Sequence, residues 1–172
     1  MRTLLLLRHA KSAWDHVGLD DHERPLNKRG VRDASAMGGY IAKHDLRPDL
    51  ILCSDAVRAR ATLTLMLQAF GGAPIPEVRY EPRLYLAEPA AIVEVLSRVE
   101  AAVGRCLIVG HNPGMHALAL GLVGDGNRKD ISALALKFPT AGLAAIEFDD
   151  LPWNGLKPGT GRLSAFVSPK LL

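Results

Sequence analysis

Cysteine is nearly absent: Cys53 and Cys106 are the only two in 172 residues, too few for a disulfide-stapled scaffold. Both lie in apolar runs, LILC and CLIV, and read as reduced core thiols of a cytoplasmic protein. Neither opens the Cys-x5-Arg loop of thiolate phosphatases, since the sixth residue after Cys53 is Ala59 and after Cys106 is Asn112. No run approaches the ~20 apolar residues of a membrane span. The N-terminal Leu4–Leu7 run stops at Arg8, short of a signal-peptide core. Charge is mixed, 21 basic against 18 acidic residues for a net +3, with no like-charge block to favour nucleic acid. Also missing are zinc-ligand spacings such as H-E-x-x-H or paired C-x-x-C, the Gly-rich P-loop and an Asp-x-Asp phosphatase motif. No metal, cofactor, membrane or nucleic-acid partner is therefore expected.

What remains is an ordinary globular chain, 48% hydrophobic and 23% charged, of a length suited to one domain over 1–172. Leu4–Leu7, Leu50–Cys53 and Cys106–Val109 are short continuous apolar runs, the pattern of strands buried on both faces. Helical patterns lie between them. One begins at Asn27 as N-cap, with Leu26 and Val31 spaced for a hydrophobic staple. A second runs from about Ala56 to Phe70, before Gly71–Gly72. A third starts at Pro89 and carries Ile92, Val95, Leu96, Val99 and Val103 on one face, up to Gly104. A fourth starts at Asn112–Pro113 with Leu118 and Leu122 facing inward. Leu143–Phe148 and Arg162–Val167 read as a hairpin. The alternation predicts a three-layer α/β/α sandwich whose mostly parallel sheet ends in an antiparallel C-terminal hairpin or edge.

In such sheets ligands bind beyond the carboxyl ends of the strands. The three buried runs exit into Arg8-His9-Ala10-Lys11-Ser12, Ser54-Asp55-Ala56-Val57-Arg58-Ala59-Arg60 and Gly110-His111-Asn112-Pro113-Gly114. Two histidines and at least two arginines would meet at one sheet edge. Two of the exits also feed helix N-termini, which favour anions. Guanidinium forks suit phosphate oxygens. Such a pocket can place one imidazole as nucleophile on phosphorus while the other groups stabilise the phosphoryl oxygens.

Arg8-His9, the segment SDAVRARAT at 54–62 and GHNPG at 110–114, in this order, resemble the three motifs of the histidine phosphatase superfamily, the phosphoglycerate-mutase-like fold. The segments RHAKSAW at 8–14 and RPLNKRG at 24–30 are similar to its phosphohistidine phosphatase branch. The resemblance implies a metal-independent phosphatase with His9 as nucleophile and Arg8, Arg58 and protonated His111 as phosphate ligands. Lys11 and Ser12 either add pocket contacts or brace the first loop. The implied substrate is phosphohistidine on a protein. The alternatives are a small phosphomonoester or nucleotide, or a phosphate-binding adaptor without turnover. A mutase is disfavoured, because the insertions that grip a sugar backbone are missing.

Two positions depart from the superfamily pattern. Asp15 stands where many members carry a pocket asparagine, and a carboxylate facing phosphate would repel it, so Asp15 is expected to point away. Leu86 falls where a glutamate acid is usual, with Glu81 and Glu88 nearest. Glu88 is either the proton donor or a helix N-terminal carboxylate beside Pro89. Arg60 is expected at the surface and His116 in a structural role. His16, His22 and His44 are expected in solvent.

Overall fold

The computed structural model describes residues 1–72 and 74–172. Its sheet has seven strands: β1 (Arg2–Arg8), β2 (Leu50–Cys53), β3 (Glu77–Tyr80), β4 (Arg105–Gly110), β5 (Val123–Gly126), β6 (Leu143–Phe148) and β7 (Gly161–Val167). They are ordered β3-β2-β4-β1-β6-β7-β5. β1 pairs in parallel with β4, and β2 in parallel with both β3 and β4. β6 is antiparallel to β1 and to β7, so it alone runs against the rest. The C-terminal pair is the expected antiparallel hairpin, but it is not the sheet edge. β5, four residues (VGDG) poor in strand formers, pairs outside β7 and escaped sequence reasoning, as did the half-exposed edge strand β3.

Alternating side chains of the strands feed two cores. Leu4, Leu6, Leu50, Leu52, Cys106 and Ile108 face one side, covered by α3 (Pro89–Ser97), α4 (Gly114–Leu122) and α5 (Arg128–Leu136). Leu5, Leu7, Ile51, Cys53, Leu107 and Val109 face the other, covered by α1 (Lys28–Lys43) and α2 (Val57–Gln68). Leu4 to Leu7 are all completely buried, which explains the unbroken apolar run. These are the three expected layers. Cys53 and Cys106 sit in opposite cores, free and buried, and burial pushes both thiols up to about 12.

Two helix expectations need correction, and one helix was not expected. α3 stops at Ser97 rather than running to Gly104; Val99 and Val103 reach the same core from the turns that follow. Their helical spacing arises because the chain doubles back over that core. The Asn27 cap is present, its side chain accepting from Gly30 N at 2.8 Å. The staple is not: Val31 stays 44% exposed, while Leu26 packs against the small Ala10, Ala34 and Ala141 cluster. α5 was not foreseen, because its polar RKD start follows another asparagine cap, Asn127, within a stretch of weak periodicity. Among the described residues no helix is long and apolar enough to cross a membrane.

Candidate active site

β2, β4 and β1 are adjacent and parallel, so their carboxyl ends open at one edge. The ladder extends one residue past each strand. His9 N donates to Gly110 O at 3.0 Å, and Ser54 N to Val109 O at 3.0 Å. This brings the His9 and His111 rings to 5.2 Å between centroids, tilted by 53°. Arg8 closes β1, and Arg58 is the second residue of α2. The structure thus brings together Arg8, His9, Arg58 and His111, three of them almost fully buried: His9, Arg58 and His111.

His9 Nδ1 lies 2.8 Å from Ala10 O. A ring nitrogen facing a carbonyl must carry the hydrogen, so Nδ1 donates and the lone pair resides on Nε2. Burial, followed by the nearby Arg58 and Arg8 charges, lowers the His9 pKa to about 4. His111 Nε2 sits 2.7 Å from Ser54 Oγ, which also accepts from Ala56 N at 3.3 Å. Burial, then His9 and Arg58, lower the His111 pKa to about 3. By its protein surroundings alone, with no anion bound, His111 is therefore neutral at pH 7. The reason is plain: burial and crowding by cations both oppose another positive charge.

Arg8 Nη1 donates to Phe138 O at 3.0 Å, an oxygen shared with Asn112 Nδ2 at 2.9 Å. Buried side-chain polar atoms are nearly always paired. Six in this protein have no partner among the described residues, and three of them are Arg8 Nε, Arg58 Nε and His111 Nδ1. Unused hydrogen-bonding capacity is thus concentrated around the two rings. Guanidiniums and a helix N-terminus suit that space to an anion.

The main residue missed by sequence reasoning is Asp21, in a single 3-10 turn over Asp21–Glu23. Its Oδ2 accepts from Arg58 Nη2 at 3.0 Å and from the Tyr85 hydroxyl, and its Oδ1 from Arg24 Nε at 3.0 Å. Its backbone carbonyl accepts from Arg58 Nη1 at 2.7 Å. Tyr85, then Arg24 and Arg58, hold this carboxyl well below the usual carboxylate range. No motif flagged it, since an aspartate in a polar loop looks solvated. His22 needs the same correction. It is wedged between Asp55 at 3.0 Å and Glu23 at 3.1 Å, edge-on to Tyr85, and these carboxylates raise its pKa.

The segment RPLNKRG proves to be the frame of the first loop. Arg24 donates to Ser12 Oγ at 2.6 Å and Ala13 O at 3.1 Å, and its guanidinium lies 3.5 Å from the Trp14 ring centroid. Ser12 therefore braces the loop, with Lys11 O accepting from Asn27 N at 3.0 Å. Gly30 permits the closest approach: a Cβ there would meet Lys11 O at 2.1 Å. Thr62 ties the first loop to α2, accepting from Ala10 N at 3.0 Å and donating to Arg58 O at 2.7 Å.

The remaining candidates lie apart. Asp15 points outward, its side chain 85% exposed and 3.5 Å from His16. Arg60 is exposed, near Tyr80. His44 is exposed and bonds Tyr40 O, and His116 bonds Leu134 O at 2.6 Å under Phe138. Glu88 is exposed at the N-cap of α3, and its side chain makes no cap hydrogen bond. Leu86 is 51% exposed with φ +48°, a left-handed conformation uncommon for leucine.

Fold and pocket together define an α/β phosphatase. The histidine phosphatase superfamily (branch 1) pattern matches residues 4–85. An uncharacterized protein of Mycobacterium leprae is 38% identical over 170 residues, covering 95% of this chain and all of the relative. A SixA protein of Agrobacterium tumefaciens, described as a candidate phosphohistidine phosphatase, superposes with a TM-score of 0.81 at 32% identity over 98% of each chain. Its counterpart from Nakamurella multipartita, described in the same way, gives 0.83 at 30%, covering 98% of this chain and 96% of the other. The chain belongs to the histidine phosphatase superfamily.

Proposed function

We propose that this phosphatase, acting as one cytoplasmic domain, removes the phosphoryl group from phosphohistidine on a protein through a phosphoenzyme at His9. The observation that carries the reading is the His9 ring, buried and neutral, its Nδ1 hydrogen held by Ala10 O and its Nε2 lone pair free. In the first step Nε2 attacks phosphorus; an N–P bond forms while the substrate's P–N bond breaks, its electron pair returning to a ring whose other nitrogen carries a hydrogen, so that neutral imidazole departs. Water then attacks the phosphorylated His9, releasing inorganic phosphate and restoring the ring. Arg8, Arg58 and His111 hold the three equatorial oxygens. A dianion beside His111 favours its protonated form, so the proton arrives with the substrate.

The choice of leaving group rests on the carboxylates. Asp21, beside the arginines, is held ionised and accepts hydrogen bonds; it has no proton to donate. Leu86 has none either, and Glu88 is exposed on the α3 cap. Expelling an alkoxide without a donor forfeits the ~10²–10⁴-fold that general acid catalysis contributes. A phosphohistidine ring protonated at its other nitrogen expels neutral imidazole, whose conjugate acid has a pKa near ~6.5, and so needs no dedicated acid from the protein.

The test is kcat/KM on matched peptides carrying phosphohistidine or phosphoserine. The phosphohistidine peptide should be favoured at least ~100-fold, the lower end of the acid-catalysis range, and Glu88→Gln should leave its turnover unchanged. Equal rates, with both collapsing in Glu88→Gln, would make Glu88 the acid and the protein a general phosphomonoesterase.

A further inference from the structure

A groove of about 580 Å³ lies between the first turns of α1, the outer face of α5 and the C-terminal residues. Its rim is basic: Arg29, Arg32, Lys129, Lys137 and Lys170 line it against two carboxylates, Asp33 and Asp130. Of those two, Asp33 is already engaged by Arg29 at 3.4 Å. Between the cations sit exposed apolar side chains, Leu136 at 86% and Leu171 at 72% exposure. Both stand apart from the chemistry at His9.

The groove reaches the catalytic loop. Thr140 is in its wall, and the next residue, Ala141, donates its N–H to Arg8 O at 3.0 Å and His9 O at 3.1 Å. Arg29 and Arg32 also line an adjoining cleft with Lys11, Ser12 and Trp14 of the first loop. A chain lying in the groove therefore passes alongside the residues that frame His9.

We infer that this groove docks an acidic segment of the phosphoprotein substrate, with aliphatic side chains seated on Leu136 and Leu171 and carboxylates against the basic rim. This rests on the phosphohistidine reading and adds the substrate's sequence character. Charge complementarity selects the occupant. A second copy docking by the same face would set one net-positive rim, five cations and two carboxylates, against another. Single-stranded nucleic acid binds by stacking on exposed aromatic rings, whereas the groove's aromatic residue, Phe166, is 7% exposed.

The experiment compares wild type with the double variant Arg32→Glu/Lys129→Glu, both positions being exposed and outside the phosphate pocket. Substrates are an Asp/Glu- and Leu-containing phosphohistidine peptide and phosphoimidazole, which has no flanking chain. The variant should lose about tenfold in kcat/KM on the peptide, through KM, in proportion to two reversed rim charges. Its rate on phosphoimidazole should match wild type. Anisotropy with the same labelled peptide lacking phosphate should show the same loss of binding, removed by 0.5 M salt, as about 3 Å screening near 1 M leads one to expect. That binding readout is independent of turnover. A protein inactive on both substrates yet binding the peptide through the groove would sink the phosphohistidine reading and leave the docking intact. Unchanged peptide binding and KM would overturn the docking, as would an equal loss on phosphoimidazole. Tighter binding of an oligonucleotide, or self-association abolished by the double variant, would overturn the assigned occupant.

Discussion

Arg58 and Arg60 are two residues apart on one helix and meet opposite fates. Arg58 is 2% exposed, its two terminal nitrogens directed to Asp21 and its Nε unpaired; Arg60 lies in solvent. Arg58→Ala should therefore lower kcat more than it raises KM, because phosphoryl charge is redistributed onto equatorial oxygens in the transition state. A single lost donor in such a site is worth about 2.7–4 kcal/mol, or ~10²–10³ in rate. Arg60→Ala should behave as wild type. Steady-state kinetics of the two variants, read as a pair, check the register of α2. Arg8, His9 and His111 could be placed at one sheet edge because each ends or directly follows an apolar run that reads as a strand, whereas the choice of Arg58 over Arg60 rested on the resemblance to the superfamily motif. Asp21, Tyr85 and Ser54 were not legible in the sequence, since each acts by bonding a distant side chain, and nothing local in DDHE, RLYL or CSDA announces such a partner.

At the level of elements, α1 contains two tests of one residue type. Gly30 packs its Cα against the backbone of Lys11, where an added Cβ would lie 2.1 Å from the carbonyl oxygen. Gly39 has nothing within 4 Å of an added Cβ. Gly39→Ala should stabilise the protein by about 0.5–1 kcal/mol through helix entropy. Gly30→Ala should destabilise it and lower turnover, because the first helical turn must part from the loop carrying His9. Urea midpoints with kcat for both variants decide the matter. Comparable gains in stability would contradict the close approach. The same elements show what a linear pattern conveys. The Asn27 cap and the buried strands were readable from local chemistry, whereas β5 exists only because β7 lies beside it, and α3 ends where the core, rather than the periodicity, lets it.

For the whole molecule, two neutral histidines at the mouth of a doubly covered sheet set the pH response. His9 and His111 have native pKa values of about 4 and about 3, against about 6.5 unfolded. Between about 6.5 and about 4 the unfolded chain binds protons that the folded one refuses, so stability falls as pH falls through this window. His22 has the opposite shift, raised by its carboxylates; it adds stability as pH falls from 7 to about 6.5, a single opposing group against the two larger shifts of His9 and His111. Denaturation midpoints should be lower at pH 5 than at pH 7, with the difference reduced in His111→Gln. A flat profile would mean that the rings are charged in the folded protein.

Trapping the intermediate shows whether the His9 Nε2 lone pair takes the phosphoryl group. Mixing the enzyme with a ³²P-labelled phosphohistidine peptide, quenching in alkaline denaturant to preserve the acid-labile P–N bond, and mapping the labelled fragment reads the site of transfer. Label is expected on His9, with its loss in a folded His9→Ala variant and turnover in that variant below about 1% of wild type, as losing a nucleophile ordinarily costs several powers of ten. Label on His111, or full turnover by His9→Ala, would contradict transfer to His9.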